Sequence, residues 1–147
     1  MNTKIEDNIE RYLKTSIYTY AGAYRELLVS LPDDIAAIGK LVCAQITHPS
    51  MYFTEPSPYL EDTYFGKFAS YPKNRFKNED ELYITAVAMI AGILRLDEEG
   101  FTKTKDVTKR ITVSCRQASI LFSAILKAKG IPCRSRAGFM DLGNYLR

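Results

Sequence analysis

The sequence predicts a mainly α-helical chain, one domain with a single strand after its last helix, and three observations support this. Apolar residues recur at helical intervals through the first half. A nearly unbroken apolar run fills residues 86–94. Residues 114–132 carry helix signals at both a start and a stop.

A chain of 147 residues can bury a core without disulfide or metal staples. With 46% apolar and 25% charged residues it has globular rather than disordered composition. The net charge of +3 comes from Lys and Arg interspersed with Asp and Glu. No dense basic stripe marks a nucleic-acid binder, so no nucleic-acid partner is expected. The cysteines, Cys43, Cys115 and Cys133, are odd in number, widely spaced and without a CxxC pair. That pattern fits neither a disulfide framework nor a zinc site, and no metal or cofactor is expected. The first residues lack the basic-then-apolar order of a signal peptide, and residues 86–94 are too few to span a bilayer. The expectation is a soluble, cytoplasmic protein with reduced thiols and no membrane partner.

The elements follow in order. Ile5, Ile9, Tyr12 and Leu13 share one helical face, as do Tyr24, Leu27, Leu28 and Leu31, and Pro32 stops the second run. Asp33 or Asp34 caps a third helix carrying Ile35, Ile38, Leu41, Val42, Gln45 and Ile46. His48-Pro49 ends it, because a residue before proline is driven from helical geometry. Residues 51–77 hold prolines and many aromatics, and read as an irregular excursion pinned to the domain by its rings. Stacking of those rings on single-stranded bases is the lesser reading. Asn78, with acids at 79, 80 and 81, opens one continuous helix to about residue 96, buried at its centre and ended by Gly100. Residues 103–110 form a basic, solvated connection. No repeat or linker divides the chain, and residues 1–77 and 78–147 are read as two parts of one domain.

Ser114-Cys115-Arg116-Gln117 begins the segment that carries chemistry. Ser114 and Gln117 have capping-box spacing, which makes Cys115 the first helical residue. Ala118, Leu121, Phe122, Ile125 and Leu126 form the inward face. Gly130 supplies a left-handed stop, Ile131 folds back on the last turn, and Pro132 forbids continuation. A helix N-terminus favours an anion, and hence the thiolate, at Cys115; Arg116 adds a positive charge. First-turn N–H groups there can also face a developing oxyanion. Local physics leaves the alternative of a small buried cysteine open.

Cys115-Arg116-Gln117-Ala118, Leu121, Ala124-Ile125-Leu126-Lys127-Ala128, Gly130-Ile131-Pro132, Arg134 and Gly138-Phe139 together resemble the transglutaminase-like superfamily. About thirty residues, 111–139, carry the resemblance, with nucleophile, helix, turn and strand in the family's order. It implies the helical lobe of a papain-like α+β domain with only the first strand of its sheet, over residues 133–139. It implies a catalytic role for Cys115, which would attack an amide carbonyl of a protein or peptide substrate and form a thioester. A histidine and an aspartate following the cysteine would complete the site.

The sequence departs from that pattern. His48 is the one histidine and precedes Cys115, and it is read as a surface residue at a helix end. Asp141 is the one acid after the cysteine, read as a loop residue, and Cys133 is read as packing rather than as a redox neighbour. The chain is therefore expected to be a truncated domain, inactive by itself, of a cysteine protease, amidase or acyltransferase; a degenerate complete protein is the other reading. A rival function is a non-catalytic helical interaction module, forming homo-oligomers through an uncovered apolar face at Leu121, Phe122 and Ile125. A weaker rival takes residues 108–129 as a DNA-binding helix pair.

Overall fold

A computed structural model describes residues 3–48, 75 and 79–138. Helix α1 spans Thr3–Leu13, and a 3₁₀ turn over Gly22–Tyr24 leads into α2, Arg25–Ser30. Helix α3, Ile35–Gln45, runs directly into a short strand β1, Ile46–Thr47. Then come α4, Glu79–Leu82, and α5, Ala86–Leu96. A 3₁₀ turn over Val107–Lys109 precedes β2, Ile111–Thr112, and the last element is α6, Cys115–Ala128. The described chain is mainly α, as expected.

Helix α6 packs against α2, α3 and α5. Leu28, Ile38, Met89, Ile90, Ile93, Ile111, Leu121 and Ile125 are wholly buried in one core. Burial of each such side chain contributes about 1.5–3 kcal/mol before conformational entropy is set against it. Helix ends follow local chemistry. Asp34 Oδ1 accepts the Ala37 amide at 2.7 Å and caps α3, while Asp33 turns away to pair with Lys129. Gly130 has φ +76°, and the Ile131 amide donates back to the Leu126 carbonyl at 2.9 Å, so the stop of α6 forms as its sequence specifies.

Several expectations are corrected. The continuous helix over residues 79–96 is two helices, broken at 83–85. Thr85 Oγ1 accepts the Ala88 amide and starts a new helix, and the Ala86 amide donates to the Tyr18 carbonyl. Ile46 is not helical: it enters β1, which pairs in parallel with β2 in the register Ile46↔Ile111 and Thr47↔Thr112. This sheet replaces the strand expected after α6, since residues 131–138 take no regular structure. The connection at 103–110 is not solvated throughout, because Lys105, Val107 and Arg110 are buried. Lys105 reaches Asp97 and the Gly100 carbonyl, and Arg110 donates to the Lys105 carbonyl.

The uncovered apolar face does not exist as such: Leu121 and Ile125 are fully buried and Phe122 is half-buried beneath the other helices. With β2 inside it, the segment 108–129 is no helix pair either. The excursion at 51–77 lies outside the described residues except for Arg75. Among the described residues no helix is long and apolar enough to cross a membrane.

Candidate functional site

Cys115 is the first residue of a 14-residue helix, with Ser114 in extended geometry at the N-cap. Cys115 is exposed while the same helix buries Leu121, Ala124, Ile125 and Leu126. The buried-cysteine reading is thereby removed. A well-packed helix thus carries an exposed cysteine at its N-terminal end.

The capping box predicted for Ser114 and Gln117 is replaced by a different arrangement. Ser114 Oγ makes no hydrogen bond to the helix backbone; it bonds the Gln117 Oε1 instead. Gln117 Nε2 then donates to the Asp80 carbonyl at 2.9 Å. The Ser114 amide donates to Asp80 Oδ1 at 2.8 Å. Both residues of the would-be box are thus tied to α4. The amides of the first turn consequently receive no cap from Ser114, and remain the positive end of the α6 dipole.

Beneath this lies a buried ion pair. Arg75 Nε donates to Glu79 Oε1 at 2.7 Å, with side chains 16% and 7% exposed. Glu79 Oε2 accepts the Thr112 amide at 2.7 Å. Arg75 also donates to the carbonyls of Thr108 and Arg110, both at 2.6 Å. The acids at 79 and 80, read as part of a helix start, instead hold β2 and the approach to Cys115. No sequence signal marks that role, because the partners lie more than thirty residues away.

His48 emerges as a correction. It is half-buried and follows a strand rather than ending a helix. The Thr47 carbonyl accepts the Val113 amide at 3.0 Å, so His48 leaves β1 at the end where residues 113 and 114 lead into Cys115. No described side chain hydrogen-bonds the Cys115 sulfur, and Ser119 Oγ donates to the Cys115 carbonyl at 2.9 Å. The Arg116 guanidinium lies 5.9 Å from the centre of the Tyr18 ring, held by a cation–π contact.

Cys133 is half-buried against the core, and its amide donates to the Tyr12 carbonyl at 3.3 Å. Its Sγ lies 3.6 Å from the Ser123 carbonyl, in a packing position. The three cysteines form no disulfide. Phe139 and Asp141 lie outside the described residues. Among the described residues no three His, Cys, Asp or Glu side chains gather as a metal site. Compared with protein families, curated proteins and solved structures, the chain has no match.

Proposed function

We propose that Cys115 is the nucleophile of a transglutaminase-like cysteine site acting on protein or peptide amides, by acyl transfer or hydrolysis through a thioester. The observation that carries the reading is the exposed cysteine at the first position of a long, buried helix whose first turn lacks a side-chain cap. In the reaction, sulfur would bond to the amide carbon, and the carbonyl oxygen would gain negative charge beside the first-turn N–H groups. The leaving amine would take a proton, and water or a second amine would release the acyl group.

A general base is also needed, and this chain supplies one imidazole, His48, at the strand end beside the segment leading to Cys115. A histidine from an upstream strand differs from the family order, in which it follows the cysteine. The family assignment and the identity of the base are therefore separable parts of the proposal.

A peptide whose glutamine is replaced by a halomethyl-ketone isostere provides the test. It should label Cys115 ahead of Cys43 and Cys133, as read by mass spectrometry of the digested protein. Equal labelling of Cys43, an exposed cysteine inside α3, would remove the case for a site. Where ammonia release from a glutamine peptide is observed, it should vanish in Cys115→Ala; unchanged release would overturn the assignment.

A further inference from the structure

A cleft of about 400 Å³ opens between the end of α1 with the turn after it, one stripe of α6, and residues 133–135. Its volume lies in the range of small-molecule sites. Five cationic side chains line it, Arg11, Lys14, Arg116, Lys127 and Arg134, and no carboxylate does. This concentration stands out in a chain whose total net charge is only +3.

Two guanidinium groups are held in place without being neutralised. Arg116 lies over the Tyr18 ring, and Arg134 lies 5.4 Å from the centre of the Tyr12 ring. Such contacts fix a guanidinium while leaving its N–H edge to bind an anion. Neither Arg116, Arg134 nor Arg11 forms an ion pair with a described carboxylate. Lys127 Nζ donates to the carbonyls of Tyr12 and Lys14, both at 2.6 Å, which orients it and leaves its third N–H. Lys14 alone meets an acid, Glu10 at 3.9 Å, in a pair more than 70% exposed on both sides. Pairs that exposed offset little charge.

We infer that this cleft binds a small ligand carrying two or more phosphates. A single carboxylate would leave most of the positive charge unanswered. Guanidinium forks contributed by α1, α6 and the segment after α6 match phosphate oxygens spread along a chain. A volume of about 400 Å³ suits a small molecule. The inference is independent of the chemistry proposed at Cys115, whose thiol does not line the cleft.

Calorimetric titration with inorganic pyrophosphate and with a nucleoside triphosphate, at about 0.15 M salt, tests it. Saturable one-to-one binding is expected, weakened about tenfold or more by Arg116→Ala and again by Arg134→Ala, as loss of a charge-assisted hydrogen bond requires. Lys40→Ala, which removes an exposed charge from α3, should leave affinity unchanged, as should Cys115→Ala. Arg116→Lys should recover part of the loss, and circular dichroism should show every variant folded. Absence of saturable binding by both probes would overturn the inference. So would equal weakening by Lys40→Ala, or binding confined to long polyanions such as duplex DNA.

Discussion

Asp80 holds the backbone of Ser114, its Oδ1 accepting the Ser114 amide at 2.8 Å one residue before Cys115. The same residue's carbonyl takes a hydrogen bond from Gln117 in the first turn of α6. A short helix far back in sequence thus fixes the angle at which the cysteine helix begins. Asp80→Ala strips the Ser114 amide of its partner in a half-buried setting, at a cost of about 1–3 kcal/mol. Chemical denaturation should show that loss, and Asp80→Asn, which keeps an acceptor, should lose less.

Glu79 should be the more sensitive of the two acids. Its carboxylate pairs with Arg75 and accepts the Thr112 amide, all within a nearly closed interior. Glu79→Ala leaves a guanidinium and an amide without that partner, and breaking a buried pair in this way costs about 3–5 kcal/mol. Glu79→Gln retains an acceptor for Thr112 and should fall between Ala and wild type. Equal unfolding midpoints for all three proteins would show that the pair does not tie β2 to α4.

Gly92 lies under the Tyr83 ring, and a Cβ there would stand 2.5 Å from Tyr83 Cε1. Tyr83 is held in turn by Arg95, whose Nη2 donates to its hydroxyl at 2.9 Å. The ring occupies the break between α4 and α5, so it has little freedom to retreat. Gly92→Ala should cost about 1–3 kcal/mol through overpacking despite the better helix propensity of alanine. Calorimetry should show a lowered Tm of several degrees, with partial recovery when Tyr83→Leu is added. A neutral or raised Tm would mean that the ring moves freely.

Acid should destabilise the fold through Asp97. Burial pushes this carboxyl up, but the hydrogen bond from Lys109 and the charges of Lys105 and Lys109 outweigh burial and leave it below the usual 3.8. The unfolded chain therefore takes up the proton first as pH falls. The stabilisation is complete above the unfolded carboxylate value and is lost as pH falls through the lower folded value. Asp106, held down by its hydrogen bonds from Thr108, acts in the same direction. Denaturation midpoints should stay level toward acid and drop below about pH 4. Asp97→Asn should show a shallower acid limb; an unaltered limb would assign the drop to other groups.

The two ends of α6 differ in how readily sequence discloses them. Gly130, Ile131 and the Asp34 cap act through partners three to five residues away, so spacing alone specifies them. The start of α6 has the right boundary, but its capping box fails because Asp80 competes successfully for Ser114 and Gln117. The strands escape notice for a different reason. Two residues each are too few to show alternation, and Ile46↔Ile111 is a pairing across 65 positions. Acids at 79 and 80 resemble an ordinary helix start, and only the fold discloses that they face β2 and Ser114. The charged cleft is equally hidden, because its cations come from α1, α6 and the segment after α6.

Cys43 and Cys115 allow the helix-end effect to be measured inside one protein. Both are exposed, but Cys43 lies within α3, whereas Cys115 opens α6. Negative charge at a helix N-terminus gains about 0.3–1 kcal/mol, roughly a twofold to fivefold factor. Iodoacetamide should therefore alkylate Cys115 about two to five times faster than Cys43 at the same pH, an advantage that salt diminishes. Asp80→Ala should narrow the ratio by loosening the first turn, while Gly92→Ala, remote from that turn, should not. Alkylation of Cys43 as fast as Cys115, in a folded protein, would show that position at the helix end gives the thiol no activation.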